Sequence, residues 1–346
     1  MNTRFHTHTL SLEVPFEISR GTKEETQNVV VEIEHDGETG IGAAAPSRHY
    51  GERPATVEAL LPELLDAVET VDDPRSRKII TDRMLAVARD NPSARAAIDL
   101  ALWDLAGKLL DEPVYRLLGC SATPERCPPT SFTIGISETD TMVERAQAAI
   151  EAGHSVLKLK LGTDRDLEIV SAIRDVAPEA TIRVDANEAW TPKEAVRKCH
   201  ALESYDVEFV EQPVKAERPE LLRYVYERSP LPIAADESCR TADDIPTIAD
   251  CCDIANLKLM KTGGITPAIE LIHAARAHGL EVMCGCMIET NAAIAGGAHL
   301  LPLLDYADLD GSLLLASDSD PYTGVPISGG RFELEAVERG TGVRPR

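Results

Sequence analysis

No CxxC pair occurs in this sequence, although its 346 residues include eight cysteines. The nearest neighbours are Cys251 with Cys252 and Cys284 with Cys286. That spacing fits neither a zinc site nor a disulfide framework and implies reduced, mostly buried thiols. Nor is there an apolar run of about 18 residues, so no membrane-spanning helix is expected. Met1 to Ser11 is polar and charged where a secretory signal needs an apolar stretch, which points to the cytoplasm. Basic residues are in deficit: Lys plus Arg number 35 against 58 Asp plus Glu, a net charge of −23. Without a basic patch to neutralise phosphates, a nucleic-acid partner is not expected. No GxGxxG follows a strand-like segment, which argues against a dinucleotide fold.

What is present is an acid surplus scattered along the chain, with arginine favoured over lysine. A strongly acidic surface is one route to solubility at high salt, so salt adaptation is one expectation and an ordinary acidic protein the other. The length implies two domains, or one barrel with an addition.

Residues 10 to 45 read as a strand pair, with β-branched alternation over Asn28 to Glu34 and a turn at Asp36-Gly37. Helices are expected from about Thr56 to Val71 and from Pro92 to Leu110. From about Cys127 the rhythm changes. Strands at Thr130–Ile134, Val156–Lys160, Thr181–Asp185, Phe209–Glu211, Ile233–Asp236, Ile254–Leu259, Glu281–Cys284 and Ala307–Asp310 alternate with helical patterns such as Thr139–Glu151, Leu167–Val176 and Pro192–Leu202. Such alternation implies right-handed parallel units, and about eight of them fit a closed barrel better than an open sheet. The tail from Asp318 to Arg346 is expected to pack back on the first domain.

In a parallel barrel the carboxyl ends of all strands meet on one face. Here three successive strand ends carry Asp185, Glu211 and Asp236, in TIRVDAN, VEFVEQP and PIAADES. Three converging carboxylates repel one another without a cation, and oxygen ligands alone suit magnesium or manganese. Taken singly, each acid could be a helix cap or a surface charge. Asn187 stands two residues from Asp185, so alternation would turn both side chains the same way. Lys158 and Lys160 share one face of a strand, with a solvated edge strand as the bland alternative. Lys258 lies across the barrel. A lysine near a metal and another ammonium is expected to have a lowered pKa and to act as a base. Two lysines on opposite sides of a carbon can take a proton from one face and return it to the other, while a metal stabilises the enediolate. Lys261 is the competing assignment for the second base; strand alternation favours Lys258.

These motifs carry a resemblance. SARAAIDLALWDLAGKLLDEPVYRLLG (93–119), LKLKLG, VDANEAW, EQP, ADES and NLKLMKTGG follow in the order seen in the enolase superfamily, in its muconate lactonizing enzyme subgroup. The resemblance covers nearly the whole chain. It implies an α/β fold: a modified TIM barrel, (β/α)7β, at 121–315, with an α+β capping domain built from 1–120 and from the C-terminal segment 316–346. It implies one Mg2+ per subunit on Asp185, Glu211 and Asp236, with Mn2+ able to substitute. It further implies Lys160 and Lys258 as acid/base catalysts, Lys158 beside the substrate carboxylate, Asn187 and Glu237 in support, and a homo-oligomer.

Asp308-Leu309-Asp310-Gly311 is similar to the Asp-x-Asp of the dipeptide epimerases, where paired carboxylates bind the free ammonium of a dipeptide. Paired acids do make a cation site, although Asp before Gly also marks turns. CMIET (286–290) resembles the family's seventh-strand segment, where Gly285 and Met287 would shape the pocket. The resemblance places side-chain recognition in capping loops at Phe16–Gln27 and Ser47–Arg53. Arg20 is the candidate partner of an acidic side chain, ordinary surface charge being its other reading. The expected function is therefore dipeptide epimerisation. Cycloisomerisation, o-succinylbenzoate synthesis and N-acylamino acid racemisation use the same lysines and metal ligands but need no ammonium site. A catalytically silent dipeptide-binding protein is the non-enzyme alternative.

Overall fold

The computed structural model describes residues 1–346. Three antiparallel strands open the chain: β1 (Asn2–Ile18), β2 (Gly21–His35) and β3 (Glu38–Ala44), in the order β1-β2-β3. The expected strand pair is thus a three-stranded sheet that begins at residue 2, with a second reversal at Ser19-Arg20. The expected turn at Asp36-Gly37 is present, and both residues take positive φ, as a tight hairpin turn requires. Helices α1 (Pro54–Val71), α2 (Arg77–Val87) and α3 (Pro92–Leu110) cover this sheet. Val29, Val31 and Ile33 pack there against Leu61, Leu64, Val68, Ile80 and Met84.

Helix α3 is buried all round from Pro92 to Gly107. It lies between the sheet and the barrel, which explains why its sequence is apolar on every face. Two glycines let it approach β3. A Cβ at Gly40 would collide with the Ala101 carbonyl, and one at Gly42 with the Ala97 carbonyl.

After the short α4 (Val114–Leu117) come eight parallel strands: β4 (Phe132–Ile134), β5 (Val156–Lys160), β6 (Thr181–Asp185), β7 (Val207–Glu211), β8 (Ile233–Ala235), β9 (Ile254–Lys258), β10 (Glu281–Gly285) and β11 (Tyr306–Asp308). They pair in sequence order, and a parallel bridge between Thr130 and Ala307 links the two ends of the sheet. Helices α5 (Thr139–Glu151), α6 (Asp166–Val176), α7 (Pro192–Leu202), α8 (Pro219–Tyr226), α9 (Ile245–Ile248), α10 (Leu259–Thr262), α11 (Ile265–Ala277) and α12 (Asn291–Ala298) lie between them. Seven strands are followed by helix and the eighth is not, so the fold is a (β/α)7β barrel under an N-terminal cap. The tail runs back across both parts. Thr341 bonds Asp104 in α3, and Asp320 bonds Thr290 beside α12.

Alternation along the strands sorts the barrel interior into layers. Phe209, Ala234, Ile254 and Met283 form a small apolar plug. Two residues further along the same strands, on the same face, stand Glu211, Asp236, Asn256 and Gly285. The charged layer therefore sits directly above an apolar floor. Arg183 belongs to the floor of the sixth strand: its guanidinium lies 5.3 Å from the Phe209 ring and 5.2 Å from the Tyr306 ring, and it pairs with Glu208.

Candidate active site

The strand ends bring Asp185, Glu211 and Asp236 together. Each offers a carboxylate oxygen within 4.8 Å of the other two, and all three side chains are buried. Glu211 closes β7, where Asn256 donates to its Oε1 at 2.8 Å. Its Oε2 lies 2.7 Å from the Lys158 ammonium yet has no well-directed hydrogen bond. Burial and the neighbouring Asp185 charge push Glu211 up to about 7. Such a set of hard, buried, mutually repelling oxygens fits a magnesium-type ion.

Asp236 stands one residue beyond β8. Gln212 places it: the Gln212 Oε1 accepts from the backbone N–H of Asp236 at 3.0 Å and of Ser238 at 3.1 Å. Gln212 itself adopts positive φ. The EQP motif therefore carries a positioning residue as well as a ligand candidate.

Four lysines surround the carboxylates, and their exposure separates them. The Lys160 side chain is 10 % exposed and Lys258 8 %, whereas Lys158 is 1 % and Lys261 0 %. Lys160 and Lys258 are thus the two that keep some exposure. Lys160 pairs with Asp185 at 2.5 Å, and Lys258 with Asp236 at 2.8 Å. Lys261 donates to the Asp236 carbonyl and Oδ1, both at 2.6 Å, and to the Asn256 carbonyl at 2.9 Å. It is a strut beneath Asp236. Gly285 gives Lys258 room, since a Cβ there would lie 3.0 Å from the Lys258 Cε and 2.9 Å from the Asn256 Oδ1.

For Lys258 the lowered pKa expected beside a metal is not what the side chains alone give: burial pulls it down, but the Asp236 carboxylate overrides this and holds it well above the usual lysine value. Lys158 behaves likewise, with Asp308, Glu211 and Asp185 outweighing burial. Among the carboxylates, burial raises Asp236, but Lys258 and Lys261 together hold it well below the usual range.

Asn187 also differs from its expected placement. It lies past the end of β6 with positive φ, so strand alternation does not orient it. Its backbone N–H donates to Asp185 Oδ1 at 2.8 Å, and its side chain reaches Glu237 Oε1 at 3.4 Å. Burial and Asp236 push Glu237 up to about 7.

Asp308 and Asp310 both face the interior, but their charges are not equivalent. Asp308 accepts from Lys158 at 2.7 Å and from the Ser131 hydroxyl at 2.5 Å. Although burial raises it, Lys158 and Lys160 bring it below the usual carboxylate value. Asp310 accepts from the Thr133 N–H at 2.5 Å and pairs with no cation. Burial and the Asp308 charge push it up to about 7. Of the pair, Asp310 is the one that lacks a counter-ion. Met287 lies on the loop after β10, where its N–H donates to Glu289 at 2.7 Å and its carbonyl abuts Gly311.

Arg20 is neither a free anion receptor nor loose surface charge. From the β1–β2 reversal it donates to Glu237 at 2.7 Å, to Glu188 at 3.4 Å and to the Asn187 carbonyl at 3.2 Å. Two further groups lay in segments that the sequence reading marked but were given no role of their own. Tyr50 has its phenol pushed far up by burial and by the Asp236 charge. Glu289 is buried near Lys258, and burial pushes it up to about 7. Tyr50 sits in a short 3-10 turn (Arg48–Tyr50) inside the capping loop Ser47–Arg53, and Glu289 follows the strand β10. Only the IET of CMIET signalled the latter.

Comparison with known proteins agrees with this arrangement. Residues 141–346 match the family described as enolase C-terminal domain-like, and residues 1–119 match the mandelate racemase / muconate lactonizing enzyme N-terminal domain. A hydrophobic dipeptide epimerase of Roseobacter litoralis is 37% identical over 351 residues, spanning 99% of this chain and 98% of its own. The L-Ala-D/L-Glu epimerase of Escherichia coli K12 is 37% identical over 310 residues, 90% of this chain and 93% of its own. Among solved structures, the dipeptide epimerase of Enterococcus faecalis V583 complexed with Mg and L-Leu-L-Tyr superposes with a TM-score of 0.92 at 34% identity, covering 99% of this chain and 98% of that one.

Proposed function

We infer that this chain, which belongs to the mandelate racemase / muconate lactonizing enzyme family of the enolase superfamily, is a dipeptide epimerase. It is an isomerase that moves the α-proton of one dipeptide residue from one face to the other. The observation that carries the reading is the presence of two partly exposed lysines on opposite sides of the carboxylates, Lys160 and Lys258, together with a buried acid that lacks a counter-ion, Asp310. Cycloisomerases, o-succinylbenzoate synthases and N-acylamino acid racemases have no use for an acid that binds a free α-ammonium, because their substrates lack that group.

Asp185, Glu211 and Asp236 would hold the magnesium ion, which neutralises negative charge on the substrate carboxylate as the α-proton leaves. Lys160 takes the proton from one epimer and Lys258 from the other; in each direction the opposite ammonium returns a proton to the far face. Lys158, held by Asp308, keeps a positive charge beside the substrate carboxylate. Lys261 and Gln212 fix Asp236, and Asn187 and Glu237 support the loop above Asp185. Asp310 receives the dipeptide ammonium, a charge-assisted bond in a buried setting, and Met287 lines the wall beside it. The floor of Phe209, Ile254 and Met283 keeps water from below.

We further propose that manganese can replace magnesium, that the chain works as a homo-oligomer in the cytoplasm, and that the cap (1–120) and tail (316–346) flank the barrel (121–315). The acid surplus would suit it to high salt; equal stability with and without added salt would remove that last point. The functional reading is tested by incubating the protein with magnesium and L,L-dipeptides and separating epimers chromatographically. Appearance of the L,D form is the expected result. Turnover of N-acylamino acids alone would overturn it.

A further inference from the structure

One buried carboxylate beside the strand ends has no part in holding the ion or moving the proton. Asp166 is the first residue of α6, is almost wholly enclosed, and accepts five hydrogen bonds. Its Oδ1 takes the backbone N–H of Gly162 at 2.9 Å, that of Thr163 at 2.7 Å and the Thr163 hydroxyl at 3.0 Å. Its Oδ2 takes the Trp190 indole N–H at 2.9 Å and the Lys198 ammonium at 2.6 Å. Lys198, on α7, matches the charge and tightens the group. It also donates to the Thr163 carbonyl at 3.2 Å and lies 4.9 Å from the centre of the Trp190 ring. A capping acid would bond the N–H groups of its own helix's first turn. None of these five partners belongs to α6.

The segments that Asp166 joins are those that carry Lys160 and Asp185. Gly162 and Thr163 follow β5, which ends at Lys160, and Trp190 closes the VDANEAW segment that contains Asp185. Between the two strand ends, the Leu161 N–H donates to the Asp185 carbonyl at 2.9 Å. Gly162 has φ of +123°, and a Cβ there would lie 2.7 Å from the Ala189 Cβ and 3.0 Å from the Ser19 Cβ. Both loops and the β1–β2 reversal therefore meet at this glycine. The Trp190 N–H donates in turn to the Pro213 carbonyl at 3.0 Å, which extends the tie to the EQP segment of Glu211. The segment after Lys258 is built differently, since it runs straight into α10.

We propose that Asp166, braced by Trp190 and Lys198, is a positioning residue for Lys160: it holds the segment after β5 against the loop after Asp185, so that the Lys160 ammonium keeps its place beside the reacting carbon. This rests on the two-lysine reading. A buried network with every member satisfied is rigid, and this one is anchored on one base only. Its loss is therefore one-sided: proton removal by Lys160 depends on where β5 ends, and removal by Lys258 does not. Misplacing a reacting group by about 1 Å can cost roughly a hundredfold in rate.

The test measures α-proton exchange in heavy water with magnesium, separately for the L,L and L,D epimers of one dipeptide that the parent protein epimerises. Lys160→Ala identifies the epimer that Lys160 deprotonates. Asp166→Asn keeps an acceptor but loses the charge that meets Lys198. It should slow exchange of that epimer roughly tenfold or more, in kcat rather than KM, and leave the other epimer within about twofold of the parent. Trp190→Phe keeps a ring in place and loses one bond, and it should shift exchange in the same one-sided sense by a smaller factor. Magnesium affinity, followed by calorimetry, should match the parent in both variants. Should Asp166→Asn fail to fold, Trp190→Phe decides by the same comparison. Equal slowing of both epimers, slowing of neither, or loss of the metal would overturn the proposal while leaving the two-lysine reading intact. If Lys160→Ala itself slows both epimers alike, or neither, the two-lysine reading fails and this proposal with it.

Discussion

Lys160 and Lys258 stand on β5 and β9, four strands apart in an eight-stranded sheet whose ends meet, and so on opposite sides of the barrel. Each is bonded to a different carboxylate of the central cluster, Lys160 to Asp185 and Lys258 to Asp236. The two ammonium groups therefore flank the place where a carboxylate-bound α-carbon would sit. Lys160→Ala should abolish proton removal from one epimer while leaving exchange of the other, and Lys258→Ala should do the reverse. Stereospecific exchange of each epimer in heavy water, followed by proton NMR, checks this. Normal exchange of both epimers in either variant would refute the two-base arrangement.

Asp310 differs from Asp308 in having no lysine partner. Asp310→Asn should raise KM for a dipeptide by roughly tenfold or more, the scale of losing one charge-assisted bond. Magnesium affinity, followed by calorimetry, should be unchanged. Loss of the metal in this variant would place Asp310 in the wrong part of the site.

Gly42 brings β3 against α3, where a Cβ would strike the Ala97 carbonyl and the Ala101 backbone nitrogen. Because backbone cannot rotate away, Gly42→Ala should destabilise by about 1–3 kcal/mol, the usual range for overpacking. Denaturant midpoints at constant slope measure it. A variant as stable as the parent would mean the helix can shift outward freely.

His299 is buried beside Tyr115, from whose N–H it accepts at 3.0 Å, and burial lowers its pKa from the usual 6.5 to about 4. A histidine depressed in the folded state favours folding fully above pH 6.5, and that contribution is lost as pH falls through 4. The difference is roughly 3 kcal/mol at 1.36 kcal/mol per unit. His299→Gln should therefore show a shallower loss of stability between pH 6.5 and 4. Parallel pH profiles for parent and variant would contradict this.

Much of the barrel was legible because alternation and charge coincide there. Val156–Lys160 and Thr181–Asp185 occur at their expected bounds, since each alternates apolar residues with charged ones and ends at a charge. The cap was harder to read. Residues 2 to 18 form one long strand, yet they alternate too weakly to show it, because only Leu10 and Leu12 in it are buried. In the site, the ligand candidates announced themselves as strand-end acids. What the sequence hid were partnerships across distance: Lys158 with Asp308, Lys261 with Asp236, Arg20 with Glu237. A charged residue's type can be read locally, but whether its charge is already spent depends on which strand folds beside it.

The most direct test of the central claim is proton exchange at the α-carbon. The protein would be incubated in heavy water with magnesium and a set of L-alanyl dipeptides, and each substrate and product followed by mass. The account predicts a gain of one mass unit in dipeptides that turn over, with label at the α-carbon of the C-terminal residue and both epimers labelled. Turnover without label, or label in N-acylamino acids but in no dipeptide, would contradict it.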